Sequence, residues 1–168
     1  MANFSPVFLQ QFKNSVERIL HVKGNYSGGI LEMAIVLDHN LPKETVTEAV
    51  PQLLRSLKMH SEVFRNVRLN VVDWVADDTI TNKVSPMAML LMESYYADYK
   101  MCKTGKKMRM LVDYLKLFQA RAKLIILITD GTSETEDEDE LKKAMQPFLG
   151  KKMMQVVFVK EGIRVQYQ

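Results

Sequence analysis

The chain of 168 residues holds one cysteine, three histidines and no apolar run approaching membrane length. With Cys102 alone, an intramolecular disulfide framework and a zinc site built from several thiolates are both excluded. The longest apolar runs, Leu124–Ile128 and Met87–Met92, fall far short of the roughly 20 residues a membrane helix needs. Lys13, Glu17 and Arg18 interrupt the opening segment, which therefore lacks the apolar core of a signal peptide. No Gly-rich phosphate loop with a trailing Lys-Ser or Lys-Thr occurs, and no internal repeat is visible. These gaps point to a soluble, cytoplasmic protein without a membrane partner.

What is present is ordinary globular material, 47% hydrophobic and 26% charged. A chain of this length buries about 70% of the surface its unfolded form exposes, enough for one self-sufficient core. The net charge of +3 says little, but its distribution is uneven. Lys100–Lys123 carries eight bases against the single acid Asp113, whereas Asp130–Glu140 carries seven acids and no base. Such blocks make either a solvated face or a docking surface, the basic one for an acidic partner. No aromatic residue interleaves with the bases from Lys100 to Arg109, so nucleic acid is not the expected partner.

Hydrophobic spacing sets out the elements. Phe8, Phe12, Val16, Ile19 and Leu20 recur every three or four residues and predict a helix over Pro6–Val22, capped by Ser5. Gly24–Gly29 reads as a loop, and the continuous apolar run in Ile30–Asp38 as a strand buried on both faces. Pro42–His60 reads as helix, either starting near Thr47 or kinked at Pro51. Arg68–Val75 is a second strand, with a brief extension at Thr79–Thr81. Ser85-Pro86 then signals a long helix from Met87 to about Met101. After the Lys103-Thr104-Gly105 break come helix Met108–Ala120, strand Lys123–Thr129, helix Asp137–Leu149, strand Met153–Val159 and a further strand at Ile163–Tyr167. The alternation predicts an α/β fold, a three-layer α/β/α sandwich around a doubly wound, mostly parallel sheet. Residues 1–29 form an N-terminal helix and loop packed on the domain 30–168.

Ligands of such sheets sit at the carboxyl ends of the strands. One strand there delivers Asp38-His39-Asn40-Leu41-Pro42, another Thr129-Asp130-Gly131-Thr132-Ser133. Asp38, Asn40 and Asp130, with Ser85 as a third kind of oxygen, would suit Mg²⁺ or Ca²⁺. The plainer reading makes Asp38 a loop cap and Asp130 part of a turn with Gly131. His39 is a candidate base or partner contact, and Lys103, Lys106, Lys107 and Arg109 are candidate contacts for an acidic partner.

Ile30–Asp38, Leu69–Asp77, Ser85–Leu91 and Leu124–Gly131 together resemble a von Willebrand factor type A domain, over most of the chain from about Ile30 to Lys160. The Leu-Ile-Ile-Leu-Ile-Thr-Asp-Gly run is the most specific of these stretches. The resemblance implies one divalent cation held by Asp38, Asn40, Ser85 and Asp130, and a partner carboxylate completing its coordination. Asn40 and Pro42 stand where the family has serines, so the implied site is degenerate and the expectation is a weak or absent Mg²⁺ site with no other cofactor. An empty site of this kind should hold water or a basic side chain against Asp38 or Asp130, with Lys43 and Lys83 as candidates.

The expected function is a non-catalytic protein-protein interaction module. One alternative is a cation-dependent binding domain of the same fold. Another, from a different class, is a Mg²⁺-dependent phosphate-ester hydrolase with Asp38 as nucleophile. That chemistry needs an acid two positions after the nucleophile, where this chain has Asn40. A Rossmann dinucleotide site is ruled out because Gly24–Gly29 precedes the first strand instead of following it.

Overall fold

Apolar side chains on both faces of its central strands decide the architecture. The computed structural model describes residues 4–22, 30–60, 62–118, 122–133, 153–159 and 162–167. Strand β1 (Leu31–Asp38) is flanked by β2 (Val67–Ala76) and β4 (Leu124–Thr129), both parallel to it. Strand β3 (Thr79–Ser85) returns antiparallel along β2. On the other side, β5 (Met153–Val159) is parallel to β4, and β6 (Gly162–Tyr167) closes a hairpin with β5. The sheet order is therefore β3-β2-β1-β4-β5-β6.

Residues of β1 and β4 alternate between two cores, as the two-residue period of a strand requires. Met33, Ile35, Leu37, Leu124, Ile126 and Ile128 face the helices α1 (Pro6–Val22) and α2 (Lys43–His60). Ala34, Val36, Ile125 and Leu127 face α4 (Met108–Phe118) on the opposite side, through Met108, Leu111, Val112 and Leu115. Covered on both faces, β1 and β4 can be apolar throughout. This is the expected three-layer α/β/α sandwich.

Helix α1 starts as its sequence suggests, with the Phe8 amide donating to Ser5 Oγ at 3.0 Å. Its Phe8, Phe12 and Val16 join the core that holds Leu124 and Ile126, so the N-terminal helix lies on the same layer as α2. Helix α2 begins at Lys43, not near Thr47, and continues through Pro51. Its first i to i−4 bond runs from the Val46 amide to the Pro42 carbonyl.

Two expectations fail between Thr79 and Met101. The extension at Thr79–Thr81 is a full strand to Ser85. The long helix expected after Ser85-Pro86 is a single turn, α3 (Met87–Leu90), followed by a 3-10 turn at Glu93–Tyr96 and irregular chain. Two buried tyrosines fix this chain, one by a local bond and one by tertiary bonds. Tyr96 donates to the Leu90 carbonyl, and Tyr99 to the carbonyls of Leu41 and Asp38. The Tyr99 bonds hold the segment against the end of β1 and outweigh its helical start signal. The loop at Gly24–Gly29 and the helix at Asp137–Leu149 lie outside the described residues.

Candidate functional site

Strand order reverses between β1 and β4, so the crevice at their carboxyl ends is the topological switch point of the sheet. Leu37 pairs with Ile128 in register, which sets Asp38 beside Thr129 and Asp130 one residue beyond. The two strand-terminal aspartates therefore stand at one end of adjacent parallel strands, as expected.

Asp38 is fully buried, and its carboxylate is wholly engaged. Oδ1 accepts from the Asn40 amide at 2.9 Å and lies 2.9 Å from the Lys106 ammonium. Oδ2 accepts from the Thr129 hydroxyl at 2.7 Å. The Thr129 oxygen in turn accepts from the Gly131 amide, and Gly131 takes a φ of 77°, which favours glycine. Asp130 thus belongs to a tight turn, where its Oδ1 accepts both the amide and the hydroxyl of Thr132.

Asn40 joins the three segments. Its Oδ1 accepts from Lys106 Nζ and from the Thr104 amide. Its Nδ2 donates to the Thr104 carbonyl and to Thr132 Oγ1, each at 3.2 Å. Thr104 also anchors the segment to β2, its hydroxyl donating to the Val75 carbonyl. Thr104 was missed as a site residue, since Lys103-Thr104-Gly105 reads only as a break between helices.

Lys106 carries the largest departure from expectation. Read as a surface contact for a partner, it is instead 1% exposed, with its ammonium 5.8 Å from the centre of the Trp74 ring. It is the base that pairs with Asp38, in place of either candidate. Lys43 donates to the Ala97 carbonyl, and Lys83 lies over the Tyr95 ring. A buried ammonium needs charge and hydrogen-bond partners, and here Asp38 and Asn40 supply both.

Ser85 is not part of this cluster. It pairs with Leu69 near the start of β2, whereas Asp38 pairs with Trp74 near the end of that strand. The β2–β3 hairpin carries Ser85 back to the amino end of the parallel strands, where its hydroxyl meets Tyr95. As a ligand beside Asp38 it is corrected by this hairpin.

His39 is also mostly buried, and is fixed by three contacts. Its Nδ1 faces the Lys100 carbonyl and its Nε2 faces Asp73 Oδ1, both at 2.9 Å. Its ring stacks on Tyr99 at 4.2 Å. The Tyr99 phenol is pushed well above the ordinary tyrosine range, first by burial and then by the carboxylates of Asp38, Asp73 and Asp130. Lys103 is exposed, Lys107 is exposed with its amide on Asp77, and Arg109 pairs with Asp113 on α4 at 3.8 Å.

These donors do not fit a divalent cation as they stand. Both oxygens of Asp38 and the amide oxygen of Asn40 are already taken by N–H, O–H and ammonium donors. Asp130 reaches Asn40 only through Thr132, and Ser85 is at the far end of the sheet. Among the described residues, no three of His, Cys, Asp and Glu gather into a metal-ligand set. Nor is any helix among them long and apolar enough to cross a membrane. No protein-family model matches the chain. No curated protein matches it either.

Proposed function

We propose that this chain is a non-catalytic, intracellular protein-protein interaction module, built in the manner of a von Willebrand A domain but independent of a divalent cation. The observation that carries the reading is the buried Asp38–Lys106 pair, which spends inside the fold the carboxylate that a nucleophile or a cation site would need. A carboxylate pinned by an ammonium, an amide and a hydroxyl is a weak nucleophile, held away from substrate. The rim of the same crevice offers contacts of another kind. Lys100 and Lys103 are exposed there, with Met101 between them at 51% exposure. Two cations flanking an adaptable thioether side chain suit an acidic, partly apolar stretch of a partner protein.

The test is co-purification of the tagged chain from its native cells, with and without EDTA, alongside the Lys100→Glu/Lys103→Glu variant. A partner retained in EDTA and lost with the charge reversal supports the reading. Loss of that partner in EDTA would make the domain cation-dependent instead. Hydrolysis of an aryl phosphate in Mg²⁺ that disappears in Asp38→Asn would make it a hydrolase.

A further inference from the structure

Strand β3 ends the sheet, so its outer side has no strand beside it among the described residues. An open edge carries a row of amide and carbonyl groups that another strand can complete, and folds usually guard it. Proline, a bulge, an edge lysine or a very short strand are the common guards. Here they are missing or displaced. β3 runs for 7 residues without a proline. Its register shift falls at the start, opposite Trp74 and Ala76, and Ile80–Ser85 pairs evenly with β2. Its one charge, Lys83, is drawn back over the Tyr95 ring at 4.9 Å.

We infer that β3 pairs antiparallel with β3 of a second copy of this chain, about a two-fold axis at Asn82, so that two sheets join into one. The inference uses none of Lys100, Met101 and Lys103, so it stands or falls apart from the interaction reading.

Side chains and charge choose the register. Residues opposite each other in an antiparallel pair share a face of the sheet. Ile80 and Asn82 lie opposite Trp74 and Val72, and with Val84 they share the face that α4 covers. Tyr114 on α4 donates to Asn82 Oδ1 at 2.7 Å on that face. Thr81, Lys83 and Ser85 lie opposite Asp73, Val71 and Leu69, on the face of α2. An axis at Asn82 sets Ile80 of each copy against Val84 of the other, and Asn82 against its own counterpart. On the other face Thr81 meets Lys83, and Thr79 meets Ser85. Val84 is 51% exposed and Ile80 half-buried, so the pairing gives each an apolar neighbour. An axis at Lys83 would set two ammonium groups against each other, and one at Thr81 would set Val84 against Asp78. The Asn82 axis is the register that matches apolar to apolar without opposing like charges. One short edge buries little area, so the association is reversible.

The experiment follows the mass of the full chain by sedimentation from micromolar to millimolar concentration, beside Val84→Lys. The unaltered chain should pass reversibly from one copy to two. Val84→Lys changes the interface twice, once in each copy, and should weaken association roughly tenfold or more. Cross-linking checks the register in a Cys102→Ser background, which removes the native thiol. Cys102→Ser/Asn82→Cys puts two thiols on the axis and should give a disulfide dimer on mild oxidation, whereas Cys102→Ser/Thr79→Cys should not. A chain that stays monomeric to millimolar concentration overturns the inference, as it would if the edge instead takes a strand of another protein. So does a dimer that Val84→Lys leaves unchanged, or one cross-linked as readily through Thr79→Cys as through Asn82→Cys. Should circular dichroism show that Val84→Lys does not fold, the two cross-linking variants decide alone.

Discussion

Of the four lysines from Lys100 to Lys107, three are exposed and Lys106 is buried. What separates them is the partner each one faces. Lys106 meets Asp38, and the pair is worth keeping mainly because either half alone is costly to bury. Lys106→Met should therefore destabilise the fold by about 3–5 kcal/mol, the usual cost of stranding one buried charge. Lys106→Met/Asp38→Asn should cost less than Lys106→Met alone, because no ion is then left unpaired. Urea unfolding of the three proteins checks this, and a double variant weaker than the single one would contradict it. Thr129→Val removes the hydroxyl that donates to Asp38 Oδ2, a bond to a charged group worth roughly 1.5–3 kcal/mol. That a base could stand against Asp38 was legible in the sequence, but not that the base is Lys106, nor that Thr129 bonds the same carboxylate. Spacing and charge place Lys103, Lys106 and Lys107 in one basic block, and only the fold of the preceding segment turns one of them inward.

At the scale of elements, legibility followed burial. Strands β1 and β4 were readable because a strand covered on both faces must be apolar at consecutive positions. Ile126 shows the consequence, being 1% exposed between the two helical layers. Ile126→Ala should cost about 2–5 kcal/mol, since the covered strand cannot collapse around the void. The segment after Pro86 was misread, because Ser85-Pro86 signals where a helix starts and not where it stops. Of its methionines, Met87 is buried while Met89 and Met92 are exposed, so they do not form one packed face. Helix α2 poses the opposite problem, with a proline inside it that the apolar pattern simply overrides. A proline in a helix interior costs roughly 3 kcal/mol, and burying its extra carbons recovers about half of that. Pro51→Ala should accordingly raise stability by about 1 kcal/mol, read as a higher urea midpoint with an unchanged slope.

Across the whole molecule, the crevice is closed by two kinds of group that respond to different conditions. The Asp38–Lys106 pair supplies charge and the Tyr99 phenol a buried hydroxyl at the crevice, while the Tyr96 phenol donates to Leu90 elsewhere in the core; both hydroxyls must stay neutral to donate. Burial is the main reason that both phenols are pushed up from the ordinary value of 10.0; the carboxylates of Asp38, Asp73 and Asp130 add to it at Tyr99, whereas at Tyr96 the Tyr95 phenol adds and the Arg55 guanidinium opposes. In the unfolded chain both phenols ionise near pH 10, whereas the native fold keeps them protonated well above that. The unfolded state therefore releases protons first as the pH rises, and stability falls with it. Their contribution is complete below about pH 10 and is lost as the pH climbs from there toward the folded-state values. Ionisation of Tyr96 and Tyr99, followed by their absorbance near 295 nm, should coincide with loss of circular dichroism and not precede it. Tyr96→Phe/Tyr99→Phe should start less stable at pH 8, because it lacks the hydroxyls, yet lose less further stability between pH 9 and pH 11.5. Equal losses in both proteins over that interval would mean that other groups govern the alkaline limit of this fold.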